Sequence, residues 1–330
     1  MIVYRILQLC FSIALTLAFS SSVHALQSLR VARVGILRVD APSSPVAKEA
    51  IHDLKKGLTG LGYIEGHNID FEIRWAENKL DRLSFVSAEL VKLHPDVIVT
   101  GGPQAVKSLK AATNTVPIVM GRMDDVVEHG LVSSLAHPGG NITGLSFQTG
   151  ELSGKWLELS KDILPQLSRA AVLWDESSTA GQLRTVEVAA QASGIKLTVS
   201  RVSGLKELDN SFEEFRKRRA EGLIILASPI FTAQRARLAQ FAIRNKLPAV
   251  YYHEGFAESG GLMAYGPKLS EFSWYRAAGF IDKILKGSKP GDLPIEQPTK
   301  FDFVTNLKTA KQIGLTIPPN VLARADKVIK

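Results

Sequence analysis

The sequence predicts an α/β protein made of two doubly wound lobes. Short β-branched segments alternate with longer segments of helical periodicity, which is the pattern of a parallel sheet covered by helices. The alternation falls into two successive series, residues 28–147 and residues 148–265, each of ordinary domain size. We expect the remaining tail, residues 266–330, to cross between the two lobes and complete both of them.

The first series begins with a predicted strand over residues 31–37. A helix over residues 47–61 follows and ends at Gly62, a residue type favoured at helix C-termini. Breaker and turn residues, such as Pro95 and the segment 138–141, separate the later elements. Further strands are predicted at residues 69–75, 96–100, 117–120 and 142–147, and further helices at residues 80–93, 104–112 and 130–136.

The second series and the tail continue the same alternation. Helices are predicted at residues 152–163, 180–192, 208–219 and 233–245. Strands are predicted at residues 170–174, 196–202, 222–227 and 249–252, and residues 261–265 are extended. The tail holds a long helix at 271–286, a proline-punctuated connector, a strand at 301–304 and a helix at 307–313 that Gly314 ends.

The N-terminal segment has the composition of a cleavable secretory signal. Arg5 precedes an apolar stretch, residues 6–19, which is short for a spanning helix of about 20 apolar residues. Small residues near Ala25 predict a cut after it, so that residues 1–25 are removed; an uncleaved anchor is the alternative. We therefore expect a periplasmic protein whose mature chain lacks cysteine, because Cys10 is the only one.

Nothing in the sequence indicates catalysis. There is no GxSxG elbow, no HExxH pair and no Walker A run, and the histidines lack metal-ligand spacing. The glycine-rich segment 139–144 precedes a strand rather than a helix, so we interpret it as a turn and not a dinucleotide-binding loop. The net charge of +8 comes from scattered basic residues, which does not favour nucleic-acid binding. We expect no enzyme activity, no cofactor and no metal.

The candidate ligand contacts are the residues that follow predicted strands, because doubly wound sheets bind ligands beyond the carboxyl ends of their strands. With two lobes facing each other, the cleft between them becomes the site. The first lobe contributes Arg38, Asp40, Ser43, Gly102, Pro103, Gln104, Arg122, Asp124 and Phe147. The second lobe contributes Asp175, Ser228, Phe231, Tyr252 and His253.

Several candidates suit particular ligand groups, and each has a structural alternative. Gly102 would let backbone N–H groups face an anion at a helix N-terminus, or would serve only a tight turn. Arg122 would clamp a carboxylate and Asp124 would accept from an ammonium, or the two would form a surface pair. Tyr252 suits a ring-bearing ligand or the core, and His253 lines the cleft or is an ordinary loop histidine.

An ordered set of segments resembles a known family. The segments are residues 61–68, 74–77, 96–99, 137–144, 256–265, 293–301 and 316–319. Together they resemble the uncharacterised ABC-type substrate-binding proteins, a group that includes tryptophan- and tyrosine-type binding components. The resemblance implies the type I periplasmic-binding-protein fold, with two Rossmann-like lobes joined by a three-crossover hinge. It also implies import of a small molecule, amino-acid-like or aromatic, by a monomer that works with an ABC permease and ATPase.

The loop after the fourth strand departs from the family pattern. It reads Asp125-Val126-Val127 where the family often has Asp-Pro-Val, and Arg122 and Asp124 are not typical of it. This loop should touch the ligand, so a ligand other than an aromatic amino acid is consistent with the departure.

Two other functions share the predicted lobes. An exported α/β hydrolase-like enzyme would need Asp175, Ser228 and His253 to converge into a nucleophile and its base. A ligand-binding sensor for a membrane receptor kinase would have the same fold as a transport receptor. The favoured function is a receptor whose lobes close on a solute without altering it.

Overall fold

The computed structural model describes residues 31–147, 149–176, 178–203, 207–268 and 273–330. The predicted signal, residues 1–25, lies outside the described residues. In the described part of the chain, no helix combines the length and the apolar character needed to cross a membrane.

The N-terminal lobe is a five-stranded, wholly parallel sheet in the order β2-β1-β3-β4-β5. Its strands are β1 (Ala32–Arg38), β2 (Ile69–Trp75), β3 (Val97–Gly101), β4 (Ile118–Asp124) and β5 (Ile142–Phe147). Its helices are α1 (Pro45–Gly60), α2 (Leu83–Lys92), which follows a 3-10 turn at Leu80–Arg82, and α3 (Pro103–Ala112). Helix α1 begins where it does because Ser44 Oγ accepts from the Ala47 N–H at 3.3 Å and Pro45 occupies the first turn.

The C-terminal lobe contains a seven-stranded sheet that includes two strands of the tail, β11 (Phe301–Asn306) and β12 (Lys327–Ile329), and has the order β12-β11-β10-β9-β8-β6-β7. Five strands come from the second series: β6 (Arg169–Asp175), β7 (Lys196–Val202), β8 (Gly222–Ile225), β9 (Ala249–Tyr251) and β10 (Met263–Pro267). The helices are α4 (Thr149–Ile163), α5 (Ala180–Ser193), α6 (Glu207–Lys217), α7 (Pro229–Ala233), α8 (Arg235–Arg244) and α9 (Glu254–Glu258). Trp156 anchors α4 in this lobe, because its ring is fully buried and its Nε1 donates to the Tyr265 carbonyl at 2.7 Å.

The tail contributes to both lobes. Its elements are α10 (Trp274–Leu285), a 3-10 turn (Pro290–Asp292), β11 (Phe301–Asn306), α11 (Leu307–Ile313), α12 (Pro319–Leu322) and β12 (Lys327–Ile329). Helix α10 packs on α1 and buries Trp274, Ala277 and Ile281 in the N-terminal core. Strand β11 then pairs antiparallel with β10, and β12 pairs parallel with β11. Along the described chain, the backbone therefore passes between the lobes after β5, after β10 and before β11.

The predicted fold class, two parallel α/β lobes, is confirmed, and β2, β7 and α11 have the predicted bounds. The predicted helix over residues 130–136 is wrong. Gly130 has a φ of +65°, outside the helical region, and the Leu135 carbonyl accepts from the Ile295 N–H at 2.8 Å instead of from a helical neighbour. The predicted helix over residues 233–245 is divided, because α7 ends before Gln234 and α8 begins after it. Helices α9 and α12 and strand β12 were not predicted.

Gly57 provides a test of how the tail helix is held on the N-terminal lobe. A Cβ at Gly57 would lie 2.5 Å from the Tyr275 carbonyl oxygen of α10 and 2.8 Å from the Ala278 Cβ. We expect Gly57→Ala to lower the free energy of unfolding by about 1–3 kcal/mol, because two helix backbones must separate. Urea unfolding followed by circular dichroism measures this.

Gly279→Ala in α10 is the matched control. A Cβ at Gly279 would meet nothing within 4 Å, so alanine should be neutral or should stabilise the helix by about 0.5–1 kcal/mol. If both variants lost the same free energy of unfolding, the close contact between α1 and α10 at Gly57 would not be the cause of the loss.

Candidate functional site

A cleft of about 510 Å³ lies between the two lobes, a size typical of small-molecule sites. The carboxyl ends of β1, β3 and β4 form its N-terminal wall, and the residues that follow β8 and β9 form its C-terminal wall. Eight of the residues predicted from the sequence line the cleft: Arg38, Asp40, Gly102, Arg122, Asp124, Ser228, Tyr252 and His253.

Six other predicted residues do not line this cleft: Ser43, Pro103, Gln104, Phe147, Asp175 and Phe231. Ser43 is exposed in the loop before α1, and Phe231 is fully buried in the C-terminal core. Phe147 is buried beneath the Arg122 guanidinium, whose carbon lies 5.1 Å from the ring centroid. The carboxylate of Asp175 is buried and accepts from Ser228 Oγ at 2.5 Å. Phe147 and Asp175 therefore support lining residues instead of lining the cleft themselves.

Pro103 and Gln104 lie in the first turn of α3, just behind the lining. Pro103 is buried at the first helical position, where a missing N–H costs nothing, and Gln104 is half-buried. Gly102 precedes them with a φ of +82°, a conformation that favours glycine, so the cleft surface here is backbone.

Arg38 and Asp40 form a closed ion pair on the N-terminal wall. Arg38 Nε donates to Asp40 Oδ1 at 2.9 Å, and an Nη donates to Oδ2 at 2.8 Å. Ser44 Oγ adds a third hydrogen bond to the Asp40 carboxylate at 3.2 Å. The Arg38 guanidinium carbon also lies 4.8 Å from the centroid of the Trp274 ring. Because both charges are satisfied within the lobe, this pair shapes the wall and leaves little charge for a ligand.

Arg122 and Asp124 lie two residues apart on β4, so both side chains point to the same face of the strand. Neither side chain makes a hydrogen bond or an ion pair with any residue in the described ranges. Asp124 is nevertheless only 7% exposed. Arg122 and Asp124 therefore lie side by side on the cleft wall. Arg122 stacks on the Phe147 ring, and neither charged group has a hydrogen-bond or ion-pair partner among the described residues.

The cleft wall shifts the ionisation of both groups. The pKa of Asp124 is raised to about 7, mainly by burial and also by the nearby Asp125 and Asp175, while Arg122 opposes the shift. Burial lowers the pKa of Arg122, while Tyr252, Asp124 and Glu49 act in the opposite direction. An ammonium close to Asp124 would favour its ionised form, because opposite charges stabilise each other at short range.

Tyr252 and Ser228 form a hydrogen-bonded unit on the C-terminal wall. The Tyr252 hydroxyl donates to the Ser228 carbonyl at 2.6 Å and makes a short contact with the Thr232 hydroxyl. Burial raises the pKa of Tyr252 to about 12, so it stays neutral. Ser228 Oγ donates to Asp175 and caps α7 by accepting from the Ile230 N–H at 3.1 Å.

His253 caps the following helix and is not placed as a base. Its Nδ1 accepts from the Gly255 N–H at 3.1 Å, which leaves the ring hydrogen on Nε2. Burial, with Arg122 and Arg235 nearby, holds the pKa of His253 well below its usual range. In a serine hydrolase the histidine stands between the serine and the aspartate, whereas Ser228 here bonds Asp175 directly. These three residues do not form a nucleophile with its base.

Helical residues that sequence reasoning did not select also line the cleft. They include Glu49 and Asp53 on α1, Trp274 on α10, Arg235 on α8 and Glu258 on α9. The strand-end rule could not select them, because they reach the cleft through the docking of helices. The spacing of Glu49 and Asp53, four residues apart on one helix face, was the available signal.

The loop after β4 connects the two lobes through Asp125. Its Oδ2 accepts from Thr149 Oγ1 at 2.9 Å, the Gly150 N–H at 3.1 Å and Thr179 Oγ1 at 3.1 Å, all in the C-terminal lobe. Burial raises the pKa of Asp125, and these three hydrogen bonds oppose that shift. Asp125 therefore contacts the N-terminal ends of both α4 and α5.

Glu128 and Gly102 make further contacts across the gap. Glu128 accepts from the Gly181 N–H at 3.1 Å and pairs with Arg184 at 3.0 Å. A Cβ at Gly102 would lie 3.0 Å from Pro229 Cγ in the opposite lobe. The two lobes thus meet at the loop after β4 and at the carboxyl end of β3.

Comparison with known proteins identifies the family. The sequence model described as ABC transporter substrate binding protein matches residues 38–329. A tyrosine-binding protein of Clostridioides difficile is 25% identical over 285 residues, which are 84% of this chain and 79% of that protein.

Solved structures share the fold. A conserved domain protein of Vibrio cholerae superposes with a TM-score of 0.84 at 26% identity and covers 91% of this chain and 100% of its own. An ABC domain of Streptococcus pneumoniae in complex with L-Trp gives 0.81 at 23% identity, with the same coverage. This chain has the type I periplasmic-binding-protein fold and belongs to the ABC transporter substrate-binding protein family.

Proposed function

We propose that this chain is the exported solute receptor of an ABC importer, which holds an amino acid between its lobes and delivers it to the permease. The observation that carries the proposal is the unpaired Arg122–Asp124 couple on the wall of the interlobe cleft. A buried charge without a partner is costly, so a ligand that supplies both counter-charges gains affinity from both.

An α-amino acid has the complementary pair of charges. Its carboxylate can accept two hydrogen bonds from the Arg122 guanidinium, and its ammonium can donate to the Asp124 carboxylate. The positive end of the dipole of the ten-residue helix α3, which begins after Gly102, also favours a carboxylate at this wall. The Gly102 N–H donates to the Arg122 carbonyl at 2.8 Å and Pro103 has no N–H, so neither residue offers a backbone donor to the ligand.

The relatives support an amino-acid ligand. One is described as a tyrosine-binding protein and another is solved with L-Trp. The predicted signal over residues 1–25 supports export to the periplasm, where such receptors meet their solutes. The matching ABC family model supports a membrane permease and an ATPase as partners.

Closure of the lobes provides the mechanism. Arg122 and Asp124 lie on one wall and Tyr252 and Ser228 on the other, so a ligand touches both sets only when the gap is narrow. Binding then shifts the open–closed equilibrium by the difference in affinity between the two forms. A thermal-shift screen of the mature protein against amino acids, sugars and aromatic acids tests the proposal, because a true ligand stabilises only the folded form.

Arg122→Ala should weaken binding of the amino acid found in that screen by at least about tenfold, because a charge-assisted contact is lost. The melting temperature of the free protein should fall only slightly, since the Arg122 side chain makes no hydrogen bond within the described fold and loses only its stacking on the Phe147 ring. Isothermal titration calorimetry measures the affinity. Arg244→Ala, which removes an exposed arginine outside the cleft, is the control. Unchanged affinity in the Arg122 variant would remove this residue from the site.

Affinity should also depend on pH through Asp124, whose pKa of about 7 is raised by burial, and which faces Arg122, Asp125, Asp175 and Tyr252. The ligand ammonium needs the ionised carboxylate, so affinity should rise about tenfold between about pH 5.5 and about pH 8. Asp124→Asn should remove that rise. A wild-type profile that is flat, or that falls with pH, would contradict this contact.

Ionisation of Asp124 has opposite effects on folding stability and on ligand affinity. The raised pKa of Asp124 means that the ligand-free folded form holds its proton more tightly than the unfolded chain. This residue therefore lowers stability as the pH rises from about 4 to about 7, and a bound ammonium offsets that loss.

Gly102→Ala tests closure. Alanine would crowd Pro229 across the gap and strain a backbone whose φ is +82°, so we expect affinity to fall about tenfold. Small-angle X-ray scattering should show a smaller ligand-induced decrease in the radius of gyration. Gly130→Ala is the control, because its φ of +65° carries similar strain and its Cβ would meet nothing within 4 Å. Similar losses of affinity in both variants would exclude the Gly102–Pro229 contact as the cause.

A further inference from the structure

The cleft and the whole protein carry opposite charge. The full sequence has a net charge of +8. Among the described residues, however, the lining contains three arginines, Arg38, Arg122 and Arg235, and six carboxylates, Asp40, Glu49, Asp53, Asp124, Glu254 and Glu258. An acidic cleft in a basic protein favours a cationic ligand, because the lining sets the local potential.

Part of this charge is already balanced within the protein. Arg38 and Asp40 neutralise each other through two hydrogen bonds. Lys327 lies 2.7 Å from Glu258 and 3.7 Å from Glu254, so it compensates that acidic pair from behind the wall. Arg235 is oriented by neutral groups, donating to Ser259 Oγ at 3.1 Å and to the Thr232 carbonyl at 3.4 Å, so its positive charge remains on the C-terminal wall.

The negative charges of Glu49 and Asp53 have no neutralising partner among the described residues. They lie four residues apart on α1 and line the cleft together with Val46 and Ala50 on the same helix face. Within the described ranges, neither carboxylate makes a hydrogen bond or an ion pair. Asp124 is a separate unpaired carboxylate. It belongs to the N-terminal sheet, is more than nine-tenths buried and makes no hydrogen bond or ion pair within the described ranges.

The unpaired groups are arranged as two subsites. Arg122 and Asp124 provide one cation and one anion at the end of β4. Glu49 and Asp53 provide two further anions along α1, where the stretch from Val46 to Asp53 rises about 10 Å. Glu49 influences the ionisation of Arg122, so the two subsites are electrostatically connected. A ligand that matches both has a zwitterionic head and a second positive charge some distance away.

We propose that the cleft selects amino acids with a cationic side chain, of the lysine or arginine type. The head group binds Arg122 and Asp124, and the side-chain cation binds between Glu49 and Asp53. This assignment rests on the proposed function, and it separates this chain from relatives described with the uncharged side chains of tyrosine and tryptophan.

Other amino-acid classes fit the lining less well. An acidic side chain would meet Glu49 and Asp53 with a like charge, which is repulsive. Glu49 is exposed and Asp53 half-buried, and a neutral aromatic side chain would leave both carboxylates without a counter-charge. Only a cation gains from these two residues, so they determine specificity and not merely affinity.

Calorimetry with matched ligand pairs tests the assignment. L-Citrulline is a neutral isostere of L-arginine, and L-norleucine is a neutral counterpart of L-lysine. We expect each cationic ligand to bind at least about tenfold more tightly than its neutral partner, and the preference to weaken at high salt. In the double variant Glu49→Gln, Asp53→Asn, the arginine-to-citrulline preference should fall to about threefold or less.

The double variant Asp70→Asn, Glu187→Gln is the charge-matched control. It removes two exposed carboxylates outside the cleft lining, so the preference should persist if local contacts and not overall charge set it. Circular dichroism and melting curves show that each variant is folded.

The possible outcomes separate this assignment from the proposed function. If neutral amino acids bind as tightly as their cationic partners, or if L-glutamate binds best, the assignment of Glu49 and Asp53 fails while the amino-acid receptor stands. The assignment also fails if the preference survives the cleft double variant. If no amino acid of any class binds, the proposed function fails first and the assignment fails with it.

Discussion

The carboxyl ends of the parallel strands in the two sheets face each other across one gap, and the rest of the molecule depends on this geometry. In a parallel sheet, strand ends are surrounded by loops and helix N-termini, which hold polar groups that the sheet cannot satisfy. Placing two such edges together concentrates Arg122, Asp124, Tyr252 and Ser228 around one cleft. The tail maintains this geometry, because α10 packs on one lobe and β11 extends the sheet of the other.

The lining is divided between satisfied and unsatisfied groups, and that division gives the site its chemistry. Arg38 with Asp40, and Ser228 with Asp175, are closed pairs that fix the shape of the walls. Arg122 and Asp124 are adjacent and remain open. Protein interiors rarely leave buried polar groups unmatched, and this unmatched couple of opposite sign is the basis for the proposed amino-acid ligand.

The sequence predicted the two-lobed fold because apolar periodicity and glycine or proline boundaries are local signals. The positions of Arg122, Asp124, Tyr252 and His253 followed from strand order alone, since each comes at or directly after a strand end. Phe231 followed a strand in the same way, yet its ring turns into the core, because the rule locates a backbone and not a side-chain direction. Trp274, Glu49 and Asp53 could not be found this way. They reach the cleft only because α1 and α10 dock on the sheet, and that contact joins segments far apart in the sequence.

The end of β4 and the loop after it connect the proposed ligand site with the contacts between the lobes. Asp124 contributes to the cleft, and its neighbour Asp125 accepts three hydrogen bonds from the opposite lobe. The two carboxylates repel each other, which is one reason that the pKa of Asp124 is raised to about 7. In the proposed function, a ligand cation at Asp124 would reduce this repulsion, so that both carboxylates could be ionised with the lobes together. Asp125 is a stronger acceptor when ionised, and the ligand charge would then stabilise the interlobe contacts as well as the ligand's own. The proposed function thus implies that solute binding and lobe closure are coupled by electrostatics through two consecutive residues.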